Sequence, residues 1–314
     1  MTTADRRALL QAATAFALCG GGSSPVVADP STRPDIGTLG PSLRRRRYVD
    51  ARFGQVHVTT TTARETRGRM PVPVCCLPMS PRSGRDFDEF AAHLGDRRVV
   101  HCPDVPGFGG SDPPPEPPAI DDYAAALLEA LDGLLPPGRR AQVDLVGQHT
   151  GAAMAVEMAR QQPQRIRRLV LIGVPLFGDA EREELRQSFV EPRPYFQDPE
   201  FLSATWKRDL TAVKDGLSED AMLMRFTEIM RAGPRSWWGF NAVFNYPMRE
   251  RLPRIGQPVL TVALQERLGP ATREAAALVQ NGRYVEMPDL SGAALDFAAG
   301  RLAGATREFL DAPA

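Results

Sequence analysis

The sequence predicts an α/β domain: a mostly parallel sheet covered by helices on both faces, with an inserted helical cap. Three observations predict it. Short apolar runs alternate with amphipathic helical stretches from about residue 72 onward. Residues 176–255 break that alternation with charged, aromatic, helix-like sequence and no buried-strand run. A chain of 314 residues, 43% hydrophobic and 24% charged, is long enough to bury a sizeable core.

The elements follow in order. Residues 1–28 resemble a twin-arginine export signal: Arg6-Arg7, a weakly apolar stretch Ala8–Cys19, a glycine break, and small residues before a cut after Ala28. That resemblance implies a periplasmic or secreted protein; without export it would be cytoplasmic. Residues 29–46 are rich in Pro, Ser and Arg and read as a linker, with Arg44–Arg47 as a solvated edge. Tyr48–Phe53 and Val56–Thr61 alternate around Gly54-Gln55, as in a hairpin. Val72–Leu77 is a continuous apolar run, the pattern of a buried parallel strand. Asp86–Leu94 places Phe87, Phe90 and Leu94 on one helical face, and Arg98–Cys102 is the next strand. A helix spans Ile120–Leu135, opened by Asp121-Asp122 and closed by Pro136-Pro137-Gly138. Strand Val143–Val146, helix Ala152–Gln162 and strand Leu169–Ile172 complete the first part. Beyond the cap come strand Pro258–Leu264, helix Ala271–Gln280, strand Arg283–Met287 and helix Gly300–Leu310. The core is therefore 47–175 with 256–314, and the cap is 176–255. Cys75, Cys76 and Cys102 read as buried apolar filler on two strands.

Composition excludes several classes. Lys plus Arg and Asp plus Glu both number 38, so the formal charge is zero and no general pull toward nucleic acid or anionic lipid exists. No apolar run approaches the ~20 residues of a membrane-spanning helix. Four Cys make no disulfide framework. The four His, at 57, 93, 101 and 149, show no metal-ligand spacing, so no metal is expected. The glycines at 107–110 lack the Lys of a phosphate loop and the spacing of a dinucleotide turn, so no nucleotide cofactor is implied.

Gly147-Gln148-His149-Thr150-Gly151 follows a buried strand and opens a helix. The spacing is that of a nucleophile elbow, where flanking side chains would collide with the adjoining strand and helix. Asp104-Val-Pro-Gly-Phe-Gly-Gly-Ser-Asp112 follows the preceding strand. On these segments the chain resembles the α/β-hydrolase fold superfamily from about Tyr48 to Leu310. Met79-Ser80-Pro81, His149-Thr150-Gly151 and Phe53-Gly54-Gln55-Val56 are similar to a subgroup with Gly-x-His-Thr-Gly at the elbow. The resemblance implies an elbow nucleophile, an acid after a later strand and a His near the C-terminus. Here the apex is His149, and no His lies downstream of it. Gly292 stands at the expected His position, Glu266 at the acid position, and Met79-Ser80 begins the oxyanion loop.

Two functions fit. In the first, His149 is a general base oriented by Glu266, with the N–H groups of Thr150 and of Met79 or Ser80 as oxyanion donors. Such a degenerate triad would activate water in ester, lactone or C–C hydrolysis, or abstract a proton in a cofactor-free lyase or isomerase reaction. In the second, the protein binds a small, largely apolar molecule without turnover. Trp237, Trp238, Phe240 and Asn241 form the densest cap cluster and are the candidate pocket lining in either case.

Overall fold

The computed structural model describes residues 42–63, 70–135, 142–189, 199–214 and 217–313. The export-signal segment 1–28 lies outside these residues. Eight strands form one sheet: β1 (Ser42–Ala51), β2 (Gly54–Ala63), β3 (Val74–Leu77), β4 (Val100–Pro103), β5 (Val143–Gln148), β6 (Ile166–Ile172), β7 (Val259–Gln265) and β8 (Gly282–Ser291). Their order is β1-β2-β4-β3-β5-β6-β7-β8. The pairs β1–β2 and β2–β4 are antiparallel, and every pairing from β4 to β8 is parallel.

The parallel strands are short and apolar because both their faces are covered. Cys75, Leu77 and Leu145 point into one core with α2 (Ile120–Leu134) and α3 (Thr150–Gln161), the helices introduced after α1 (Asp88–Leu94). Cys76, Cys102 and Val146 point into the other, with α1 and the C-terminal helices. The neighbouring cysteines thus serve opposite faces, as their places in the strand require. The cap holds α4 (Asp179–Phe189), α5 (Pro199–Lys214), α6 (Glu219–Ala232), α7 (Trp238–Asn245) and α8 (Met248–Arg251). The second half of the core adds α9 (Gly269–Leu278), α10 (Ala294–Phe297) and α11 (Ala299–Asp311).

One boundary differs from the sequence reading. Residues 42–46, assigned to the linker, belong to β1, which runs from Ser42 and pairs with β2 along its length. Arg44–Arg47 carry no apolar period, so pattern alone misses the strand. Ladder hydrogen bonds to β2 hold it, and Arg44 adds an ion pair to Asp88 at 2.9 Å. A row of exposed arginines also protects a sheet edge from pairing with another chain.

The elbow strand carries a buried charge. Asp144 of β5 is fully buried, takes two hydrogen bonds from Arg167 at 2.9 and 2.5 Å, and faces buried Arg98 at 3.7 Å. Burial pushes its carboxyl up, while Arg167 pulls it down. Removing one partner from a buried ion network costs several kcal/mol, because the remaining charge stays desolvated. Asp144→Ala should therefore lower unfolding stability by about 3 kcal/mol, read as a fall in the urea midpoint at neutral pH. A loss below ~1 kcal/mol would show that Arg98 and Arg167 find other partners.

Candidate active site

The elbow is built by the two glycines that flank it. A Cβ on Gly151 would lie 2.0 Å from the carbonyl oxygen of Leu77, and one on Gly147 would lie 2.3 Å from that of Gly151. Between them His149 has φ 50°, the one non-glycine residue at positive φ among the described residues. That conformation costs about 1–3 kcal/mol and persists because its surroundings fix it. The His149 N–H donates to the carbonyl of Ile172 at 3.0 Å, and its carbonyl accepts from Ala152 at 2.9 Å as α3 begins.

The imidazole reaches across the sheet. His149 leaves the end of β5, whereas Glu266 follows β7, so the end of β6 lies between them. Adjacent strands are about 4.8 Å apart, so the two side chains must bridge roughly 10 Å. His149 Nε2 lies 2.9 Å from both Glu266 Oε1 and Oε2. The space for this contact is left by Gly173, directly after β6, at φ 64°. A Cβ there would stand 2.4 Å from both Glu266 Oε1 and His149 Cδ2. On the far side, a Cβ on Gly292 would stand 2.4 Å from Glu266 Oε2. The Glu266 carboxylate thus occupies space that any side chain at position 292 would need.

The carboxylate selects the chemistry of the ring. A carboxylate beside Nε2 favours the tautomer with the proton on Nε2, which leaves the lone pair on Nδ1. Both side chains are enclosed, with 4% exposure for His149 and 8% for Glu266.

The other predicted residues fall in two groups. Leu77 pairs with Gly147 in the sheet register, so the loop from Met79 and the turn at Thr150 leave the sheet side by side. Thr150 is the first residue of α3, where an N–H has no acceptor within the helix. Ser80 is buried against the cap: a Cβ on Gly239 would lie 1.9 Å from Ser80 Oγ. The cap residues divide differently. Trp238 lies against the Gly107 turn, 3.8 Å from a Cβ built there, and Phe240 stacks on Phe244 with centroids 6.3 Å apart. Both pack on the main core, and so seat the cap. Trp237 is half-buried, and its Nε1 has no hydrogen-bond partner among the described residues. Asn241 accepts from Asn245 at 3.2 Å, and Asn245 accepts from Arg186 at 3.1 Å, a polar string joining α7 to α4.

Two residues at the site escaped the sequence reading. Gly173 is one, and its signal was a glycine closing the strand between the elbow strand and the acid strand. Gln148 is the other. It is buried, and its Nε2 donates to the carbonyl of Gly292 at 3.3 Å, which holds the 291–293 turn beside Glu266.

Comparison with known proteins agrees with this architecture. The chain is 38% identical over 84 residues to a 2-hydroxymuconate semialdehyde hydrolase of a Pseudomonas species (strain CF600), covering 26% of this chain and 27% of that one. It is 27% identical over 168 residues to a poly(3-hydroxyalkanoate) depolymerase of Ectopseudomonas oleovorans, covering 51% and 56%. The chain therefore spans between a quarter and about half the length of these relatives. A crystal structure of a hydrolase from Pseudomonas aeruginosa PA01 superposes with a TM-score of 0.67 at 22% identity, over 85% of this chain and 99% of that one. Residues 72–266, more than half of the chain, match the family model for the alpha/beta hydrolase fold, and the chain belongs to that family.

Proposed function

We propose that the protein is a hydrolase in which His149 and Glu266 act as a general-base dyad on a small, largely apolar substrate. The observation that carries this reading is the paired contact of Nε2 with both Glu266 oxygens in space left by Gly173 and Gly292. A random loss of the elbow hydroxyl and the C-terminal His would not bring imidazole and carboxylate together. Glu266 holds Nε2–H, and Nδ1 takes a proton from a water as it attacks the substrate carbonyl. The N–H groups of Thr150 and of Met79 or Ser80 receive the developing oxyanion. The imidazolium then returns the proton to the leaving group, so water is consumed and acid and alcohol are released. The same base could instead take a proton from carbon in a lyase or isomerase reaction. The relatives, a semialdehyde hydrolase and a depolymerase, favour hydrolysis.

The enclosure of the dyad favours a second reading, an inactive small-molecule binding protein. An ester and lactone panel separates the two. If the dyad works, wild type turns over at least one member and His149→Ala loses about 10²–10⁴ in kcat. Unchanged turnover in the variant would remove His149 from the mechanism. No turnover by wild type, with apolar ligands raising Tm, would establish the binding reading.

The glycine space makes its own prediction. In Gly292→Ala the new methyl displaces the carboxylate from the imidazole, so kcat should fall at least about tenfold while the fold is kept. Gly178→Ala, at a position with nothing within 4 Å, should leave kcat alone. Equal rates in both variants would show that the contact is not used.

We also propose that residues 1–28 direct twin-arginine export. Replacing Arg6 and Arg7 together by Lys should trap the protein in the cytoplasm on cell fractionation. Unchanged periplasmic yield would contradict this.

A further inference from the structure

The enclosed dyad raises the question of what holds the cap shut. Helix α6 meets the core through charged side chains that are almost wholly buried. Arg225 pairs with Asp296 of α10 at 2.7 Å, and Glu228 faces the Ser83 side chain, which draws its carboxyl down against the rise that burial causes. Beneath them Arg82 lies 3.5 Å from Asp86. Arg82, Asp86, Arg225 and Glu228 are each exposed by 5% or less. Glu228 Oε2 and Asp86 Oδ1 have no hydrogen-bond partner among the described residues.

The charges of this set do not balance. Within the set, three carboxylates (buried Asp86 and Glu228, part-buried Asp296) meet two buried guanidiniums (Arg82 and Arg225), and the further guanidiniums that face Glu228, Arg85 and Arg231, lie exposed to solvent, which screens them. A buried excess charge is costly, and protonating one carboxylate relieves it. The two buried oxygens without a donor are where such a proton would sit. We infer that these five residues form a latch that holds the cap over the dyad and binds one proton from solvent in its shut form.

The latch grips both loops that shape the site. Ser83 and Arg82 end the turn that begins at Met79, and Asp296 follows the turn of Gly292, which packs on Glu266. Opening α6 would release both.

The titration of Asp86 supports the inference. Burial pushes its carboxyl up from 3.8 to about 6, against the pull of Arg82 and Arg225, and Asp296 and Glu228 add to the rise. Burial also pushes Glu228 up. Ser83 opposes this, Asp104 adds to it, and Arg231 and Arg85 pull it back. Asp104 itself faces His57 at 2.9 Å. The shut form holds its proton more tightly than an open one would. Closure is therefore strongest below the ordinary carboxylate range and weakens as pH rises through about 6.

Amide hydrogen exchange of the full-length protein tests this without any turnover assay, so it stands or falls apart from the proposed reaction. Asp86→Asn keeps the shape and removes the excess charge. At pH 7.5 its α6 amides should be more protected than wild type, by up to roughly a hundredfold. At pH 4.5 the ratio should shrink to less than about tenfold, and β5 and β6 amides should show no pH-dependent ratio. Glu228→Gln predicts the same pattern and guards against a folding failure of the first variant. A ratio in α6 that does not change with pH, or one that changes equally in the sheet, would overturn the latch.

Discussion

The contact between His149 and Glu266 depends on a gap in the middle of the sheet's edge. The two residues leave strands separated by β6, and imidazole and carboxylate meet only because Gly173 puts no side chain between them. Once they meet, the rest of the site is constrained. Gly292 must be bare where the carboxylate lies, and Gln148 ties the turn that carries it. The strained φ of His149 aims the ring along this corridor. The four features fit one another sterically, and that mutual fit is what supports the proposed dyad.

Around that contact the molecule relies on ordinary means of stabilisation. Two apolar cores flank the sheet, one on each face. The cap is seated apolar against apolar by Trp238, Phe240 and Phe244, and at its far end Tyr246 donates to buried Glu157 at 3.1 Å. Among the described residues, α6 meets the core through buried charged side chains, Arg225 and Glu228. Apolar seating is insensitive to pH and tolerant of small shifts, whereas buried ion pairs are strict about geometry and respond to protonation. A cap held by both has a firm hinge side and a side that can let go. That division accords with the proposed latch, and the two principal side chains of the site are shielded from solvent.

Much of this was legible in the sequence. The alternation of apolar runs and amphipathic stretches located β3 to β8 and the cap, since buried parallel strands leave no other pattern. The elbow glycines announced the bend, and Glu266 was singled out by its place after the strand beyond the cap, where the structure sets it 2.9 Å from His149 Nε2. What pattern could not reach was chemistry between elements distant in sequence. Residues 42–46 were missed because ladder hydrogen bonds, not apolar side chains, hold that edge. Gly173 was missed because its value lies in what stands either side of it. Asn241 and Asn245, four apart on one helix, do share a face, where Asn241 accepts from Asn245 and Asn245 accepts from Arg186 of α4, a partner no local pattern reveals. The buried charges of α6 gave no signal, since a sequence does not reveal which arginines find a carboxylate inside.

The most direct test is nitrogen NMR of the histidine rings, with His149→Ala identifying the signal of interest. A ring held by Glu266 through Nε2 should show a protonated, pyrrole-type Nε2 and an unprotonated, pyridine-type Nδ1 near neutral pH, and Glu266→Gln should disturb that pattern. A ring that averages both tautomers in wild type, or carries its proton on Nδ1, would contradict the contact on which the site depends.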